Sequence, residues 1–253
     1  PGGCSIGSRR LDTHFNALKT FGAHVEDDGT RYHISVDYTP KNRRVVLEEI
    51  SVTATENLIM FMVGTEGEGE LRLAAAEPHV EGLCHFLEAA GYGIEGGGTH
   101  IIKTSNLKPQ IPASRAGGSN LKSGTLVFSI SPDPLEVATF AIAAAVTGGD
   151  VRIEGIVKDH LDMFLLKMRE AGVSYIIESD ALCIQPSKSF HAIKIRTDIW
   201  PNFPTDLQAP FSVLLTQASG ESLIFETMFE GRFEYLKELQ KMGVQIISKG
   251  LYE

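Results

Sequence analysis

Cysteine is scarce in this chain of 253 residues: Cys4, Cys84 and Cys183 are an odd number at irregular spacing. That excludes a disulfide framework and the paired spacing of a zinc site, and it fits a reducing cytoplasm. Positive charge is in deficit, with 23 Lys and Arg against 32 Asp and Glu and a net charge of −9. A general nucleic-acid binder needs clustered cations to meet phosphates, so that class is disfavoured, an RNA-processing role included. An anionic small ligand is not excluded, because a local arginine pair can oppose the global sign. No run approaches the roughly 20 apolar residues that span a bilayer. The residues before Cys4 are too few for a secretory or lipoprotein signal. An initiating methionine is also lacking. The start falls inside a glycine turn and the end, VQIISKGLYE, follows a strand-like run, as expected of an internal piece of a longer protein.

What is present is an ordinary globular composition, 43% hydrophobic and 22% charged, long enough to bury one large core or two smaller ones. One pattern recurs four times: an amphipathic helix, a glycine, then a short strand pair. The copies are LDTHFNALKTFGAHVEDDGTRYHI, HVEGLCHFLEAAGYGIEGGGTHII, HLDMFLLKMREAGVSYIIESDALCI and RFEYLKELQKMGVQII. Leu11, Phe15 and Leu18 in the first copy, and Leu161, Leu165 and Met168 in the third, fall at helical spacing. Gly22, Gly91, Gly172 and Gly243 stand where a left-handed helix cap is expected. Tyr32, Ile34 and Val36 alternate as a strand should.

These glycines are 69, 81 and 71 residues apart, and the long interval contains KTSNLKPQIPASRAGGSNLKSG, which reads as a linker or insertion. The period is longer than the 20–50 residues of solenoid repeats, so each unit reads as a small α/β layer. A second element recurs between the first: TENLIMFMVGTEGEGELRL, PLEVATFAIAAAVTGGDVRI and LQAPFSVLLTQASGESLIF. Helices as apolar as FAIAAAV are expected to be buried on most sides. The architecture predicted is an inversion of the usual α/β layering, with helices inside and sheets outside. It falls in two lobes joined near residues 104–124, the first over 1–110 and the second over 111–253.

Three residues stand out chemically. Cys4 sits in the glycine turn PGGCSIGSRRLDTH beside two arginines, where guanidinium favours the thiolate; a chance cysteine in a turn is the alternative. Asp206 follows Pro204 at a helix start and is expected to cap backbone N–H groups. Arg232 at another helix start reads as solvated. By contrast, Cys84 on an apolar helix stripe and Cys183 within a strand read as packing residues.

PGGCSIGSRRLDTH, SVTATENLIM, AAEPHVEGLCHFL, FPTDLQAPF and ETMFEGRFEYLKELQKMG, in that order, resemble the UDP-N-acetylglucosamine 1-carboxyvinyltransferases of the enolpyruvyl transferase family. The resemblance covers the chain except residues 104–124. It implies a two-lobed inside-out α/β barrel of repeated βαβαββ units with internal helices, incomplete here because family members extend beyond both ends. It also implies transfer of the enolpyruvyl group of phosphoenolpyruvate to the 3-hydroxyl of UDP-N-acetylglucosamine with release of phosphate. That is the first committed step of peptidoglycan precursor synthesis, cytoplasmic and fosfomycin-sensitive, with no cofactor, metal, nucleic acid or membrane involved. This chain by itself is expected to lack part of the anion clamp and not to turn over.

By the resemblance, Cys4 is the acid that serves the enol carbon, Asp206 takes the proton of the attacking hydroxyl, and Arg232 meets an acidic group of phosphoenolpyruvate. Arg9 and Asp12 bind the uridine part, Ser51 and Val52 contact the diphosphate, and Thr205, Met228 and Phe229 help place the sugar nucleotide. Glu77 matches an acidic family position and equally suits a helix start, and His14 matches a helix position with a structural role at least as apt. Three positions depart from the family pattern: Arg10 replaces proline, Thr53 replaces glycine and Gly231 replaces asparagine. Arg10 and Thr53 touch the nucleotide pocket and keep open an enolpyruvyl transferase acting on a different uridine nucleotide. A non-catalytic binding relative of the same fold is also open. The shikimate-pathway enolpyruvyl transferase lacks the PGGC loop, so Cys4 counts against it.

Overall fold

The computed structural model describes residues 11–38, 40–105 and 126–250. They divide into two compact units, one drawn from Arg10–Ser131 and the other from Pro132–Glu253. The lobe boundary expected near residue 110, the 104–124 linker beyond residue 105, and the residues Cys4, Arg9 and Arg10 lie outside the described residues.

The first unit runs α1 (Asp12–Thr20), β1 (Ala23–Asp27), β2 (Tyr32–Val36), β3 (Asn42–Val46), α2 (Val52–Gly64), β4 (Glu68–Arg72), α3 (Pro78–Ala89), β5 (Gly93–Glu95) and β6 (Ile101–Ser105). From β3 onward this is one complete βαβαββ repeat. Its sheet has the order β3-β4-β6-β5, with β3 and β4 parallel and the other pairs antiparallel. Register places Val45, Leu71 and Ile102 in one row and Arg43, Gly69 and Thr104 in the next, all facing inward. Leu58, Ile59 and Met62 of α2 are buried in the same core. A Cβ at Gly69 would come within 2.4 Å of Met62 Sδ, so any larger residue there would force the Met62 side chain to shift. Arg44, Val46, Ile101 and Lys103 on the opposite face are exposed, so the helix is inside and the sheet outside, as expected.

The second unit runs α4 (Pro134–Val146), β7 (Val151–Glu154), α5 (Asp162–Glu170), β8 (Tyr175–Ile177), β9 (Ala181–Ile184), β10 (Phe190–His191), β11 (Lys194–Arg196), α6 (Gln208–Leu215), β12 (Ala218–Ser219), β13 (Leu223–Phe225) and α7 (Leu236–Lys241). Short 3₁₀ turns occupy Lys158–His160, Thr205–Leu207 and Arg232–Tyr235. The order β7-β9-β8 repeats β4-β6-β5 with the same antiparallel pairings, and β11 parallel to β13 repeats β3 beside β4. The repeats read from the sequence are therefore one topology seen in successive frames. Residues 126–130, where that topology has its leading strand, form no strand here. Each sheet among the described residues is open rather than closed into a barrel.

All four helix-end glycines take positive φ, from 82° to 95°. After α3, α5 and α7 the amides of the glycine and the next residue bond back into the helix, as with Gly172 N–H to Arg169 O and Val173 N–H to Met168 O, both 3.0 Å. A Cβ at Gly172 would stand 2.7 Å from His191 Cδ2 and 3.0 Å from Ser189 O. Gly172→Ala is expected to destabilise the fold by about 1–3 kcal/mol, read as a lower urea midpoint of the full-length protein.

Two packing expectations need correction. The buried residues of α1 are Thr13 and Ala17, followed by Phe21; of the expected stripe only Leu18 packs against this core, while Leu11 and Phe15 do not. Phe15 instead turns to Tyr32, with ring centroids 4.5 Å apart, and Leu11 is exposed. The α5 stripe of Leu161, Leu165 and Met168 is buried as expected. As expected, α4 is buried on most sides: it packs on α6, β7 and β9 and leaves a strip with Thr139, Phe140 and Ala143 open, Phe140 by 63%. Those neighbours cover only part of its circumference. Cys183 lies in β9, but its thiol sits 3.5 Å from Arg152 Nη1 and 3.7 Å from Glu178 Oε1, a polar edge rather than the core.

Candidate functional site

Phe203 is buried and Pro204 holds an extended backbone at φ −66°, ψ 135°. Together they deliver the chain into the 3₁₀ turn Thr205–Leu207, which runs directly into α6. The N-cap position of this turn is Pro204, not Asp206, so the local reading of Asp206 as a cap does not hold. Its Oδ1 instead accepts a 2.5 Å bond from Nη2 of Arg232, 26 residues along the chain. Arg232 is not a solvated helix-start arginine: its side chain is only 16% exposed, against 57% for Asp206. The guanidinium lies 5.8 Å over the Phe229 ring, and the Arg232 amide donates to Phe229 O at 3.1 Å. A half-exposed ion pair contributes little to stability, on the order of 0–1 kcal/mol. What it supplies is a fixed carboxylate, an acceptor only, beside a guanidinium that carries further N–H donors.

Behind the pair lies Glu226, which is wholly buried. Its Oε2 accepts from Thr205 Oγ1 at 2.9 Å and Gln208 Nε2 at 2.6 Å. Its Oε1 accepts from the Met228 amide at 2.7 Å and the Phe229 amide at 3.2 Å. Thr205, Asp206, Met228, Phe229 and Arg232 are thus brought into one constellation within the second unit. Tyr235 extends it: its hydroxyl lies 2.6 Å from Ser212 Oγ, and burial pushes the phenol up to about 12. Sequence reasoning missed Glu226, Gln208 and Tyr235. Glu226 lies inside the motif ETMFEGRFEY, but nothing local marks it as buried, because its partners Thr205 and Gln208 are distant in sequence.

In the first unit, Ser51 caps α2, its Oγ accepting from the Ala54 amide at 3.3 Å. Val52 turns its side chain toward the core, so what it presents is a first-turn backbone N–H. Thr53 bonds His14 Nε2 at 3.2 Å, and Asn57 Nδ2 stands 3.1 Å from His14 Nδ1. Burial pushes the His14 imidazole below its ordinary value, and the Glu49 carboxylate opposes this with a smaller effect. Glu48 and Glu49 accept from Asn16 at 2.7 Å and Thr13 at 3.2 Å, tying α1 to the approach to α2. Asp12 is exposed in the first turn of α1. Glu77 occupies the N-cap of α3 without a capping hydrogen bond, and its Oε2 is buried with no hydrogen-bond partner among the described residues. Cys84 is fully buried, and that burial, reinforced by Glu88 and Glu81, pushes its thiol up to about 11, as suits a packing residue.

No helix among the described residues is long and apolar enough to cross a membrane. The model of the family described as EPSP synthase (3-phosphoshikimate 1-carboxyvinyltransferase) matches residues 1–252. UDP-N-acetylglucosamine 1-carboxyvinyltransferase of Clostridium botulinum is 36% identical over 250 residues, covering 99% of this chain and 57% of the relative. The protein of the same name from Trichormus variabilis is 38% identical over 257 residues, covering 99% and 54%. The chain thus spans little more than half the length of these relatives. Among solved structures, the enolpyruvyl transferase NikO from Streptomyces tendae aligns with a TM-score of 0.77 at 18% identity, over 96% of this chain and 57% of that one. EPSP synthase from Acinetobacter baumannii aligns at 0.60 with 19% identity, over 95% and 55%. The fold is that of the enolpyruvyl transferases.

Proposed function

The chain belongs to the EPSP synthase family, and from that premise we propose that the protein containing it transfers the enolpyruvyl group of phosphoenolpyruvate to the 3-hydroxyl of UDP-N-acetylglucosamine, opening peptidoglycan precursor synthesis. The observation that carries this reading is the Asp206–Arg232 pair, which joins the two described residues that the family resemblance assigns to proton removal and anion binding. The names of the relatives support the choice of acceptor.

In the addition step the acceptor hydroxyl loses its proton to Asp206 while its oxygen bonds to the phosphate-bearing carbon of phosphoenolpyruvate. Cys4 protonates the methylene carbon. In the elimination step that methyl carbon returns a proton to the Cys4 thiolate, the carbon–oxygen bond to phosphate breaks with its electron pair leaving on phosphate, and the double bond re-forms. Arg232 offsets the charge of phosphoenolpyruvate through bidentate contact. Thr205, Met228 and Phe229 hold the sugar. Arg9 and Asp12 meet the uridine, and the first turn of α2 at Ser51 and Val52 meets the diphosphate, whose charge suits a helix N-terminus. Glu77 has no step in this scheme.

A second acceptor is favoured by one observation. Thr53 stands at that first turn with its hydroxyl bonded to His14, and so alters the surface a diphosphate would meet. The test is phosphate release by the full-length protein supplied with phosphoenolpyruvate and, in separate arms, UDP-N-acetylglucosamine, other uridine nucleotides and 3-phosphoshikimate. Release with UDP-N-acetylglucosamine, lost in Cys4→Ser, supports the reading. Release only with another uridine nucleotide moves the acceptor, and release only with 3-phosphoshikimate or with none overturns it. An epoxide phosphonate such as fosfomycin is expected to alkylate Cys4 and leave Cys84 unmodified.

A further inference from the structure

We propose that Glu226 is a positioning residue for this reaction: a buried carboxylate that sets Asp206 and Arg232 at their working separation by holding the two chain segments that carry them. The proposal rests on the function given above. Its geometric basis is that each oxygen of Glu226 serves a different segment. Oε2 holds Thr205, the immediate neighbour of Asp206, and Gln208, the first residue of α6. Oε1 holds the amides of Met228 and Phe229, and Phe229 in turn lies under the Arg232 guanidinium and accepts the Arg232 amide.

A carboxylate with no exposed surface is costly to bury unless its lone pairs are met, and here four donors meet them. Two of the four, the backbone amides of Met228 and Phe229, can only donate, so the end that faces them calls for an acceptor, while the Thr205 hydroxyl and the Gln208 amide can meet either a donor or an acceptor. Closing the 226–229 turn needs only one of those ends. The other end reaches across to the segment before α6, and this cross-link is what a turn-forming residue would not provide. The pair depends on it because neither Asp206 nor Arg232 is anchored by a cap: the 3₁₀ turns that carry them have no side-chain capping bond.

The geometry separates position from charge. Gln208 Oε1 is buried without a partner among the described residues. In Glu226→Gln, rotation of the Gln208 amide lets that oxygen accept from the new amide, and the Thr205 hydroxyl can reverse. The two backbone amides keep a carbonyl acceptor. In Glu226→Met the shape is retained and every acceptor is lost. In the full-length protein, at a temperature where thermal melts show each variant folded, Glu226→Met is expected to lower kcat by about 100-fold, the scale of a misplacement near 1 Å. KM for both substrates should change less than threefold or so, and Glu226→Gln should recover most of the loss. Combined with Asp206→Asn, Glu226→Met should add little, because both act on one step.

A folded Glu226→Met protein with unchanged kcat overturns the proposal. So does Glu226→Gln impaired as severely as Met, and so do Asp206→Asn and Glu226→Met losses that multiply. Should Glu226→Met fail to fold, Gln208→Met takes its place, with a several-fold loss of kcat expected and an unchanged kcat overturning the idea. A crystal structure of the folded variant gives a readout independent of turnover: the Asp206–Arg232 contact should be lost, and its retention counts against the proposal. If the wild-type protein transfers to no acceptor, the assigned reaction fails, while this structural outcome still decides the role of Glu226.

Discussion

Asp206→Asn is expected to lower kcat of the full-length protein by about 10²–10⁴-fold, the usual contribution of a positioned general base. Asparagine keeps the size of the side chain and can still accept a hydrogen bond from Arg232 through its carbonyl oxygen, so binding should be nearly intact. What is lost is the lone pair that takes the hydroxyl proton. The split between constants therefore discriminates: a large fall in kcat with modest change in KM marks an interaction made in the transition state. Steady-state kinetics with each substrate varied in turn checks it. A rise in KM with kcat preserved would instead mean that Asp206 only binds the sugar, and the ion pair with Arg232 at 2.5 Å would then be a binding clamp.

Phe211→Ala is expected to cost about 3–5 kcal/mol of stability, the range for removing a fully buried ring. Phe211 has no exposed surface and meets Phe164 of α5 and Phe203 edge-on, with centroids at 6.2 and 5.4 Å. Such contacts contribute beyond area burial, about 0.5–1.5 kcal/mol each. The consequence reaches the site, because Phe203 directly precedes the Pro204–Asp206 segment. Urea unfolding of the full-length protein followed by circular dichroism measures the loss. A cost below about 1 kcal/mol, less than ordinary core truncations give, would show that α6 is held by something other than this aromatic cluster.

The frame of the fold was legible because its punctuation is local. A helix that ends in the left-handed region needs glycine at that point, and Gly22, Gly91, Gly172 and Gly243 all adopt it. Their spacing gives the repeat without reference to any contact between repeats. Periodicity served α5 well, where Leu161, Leu165 and Met168 are buried, and α1 only in part, where Leu18 packs on the core but the buried residues are small Thr13 and Ala17. Helix hydrophobicity likewise reports what can be buried, not whether a neighbour exists, so Phe140 of α4 stays exposed.

The candidate site was legible only in its residue types. Read locally, Asp206 and Arg232 are only a cap and a solvated helix start, and it is the family resemblance that assigns both to one reaction. Their pairing across 26 residues is a tertiary fact that no window around either one contains. Thr53 was seen as a departure near the nucleotide, yet its hydrogen bond to His14 spans 39 residues. Glu226 was hidden most completely, since acidic residues are almost never fully buried and two of the four donors that permit it come from another segment.

The most direct test of the assigned reaction is product identification after incubation of the full-length protein with phosphoenolpyruvate and UDP-N-acetylglucosamine. Mass spectrometry should show the sugar nucleotide gaining one carboxyvinyl group, with phosphate released in equal amount. An unmodified sugar nucleotide, with phosphoenolpyruvate intact at the end of the incubation, would contradict it.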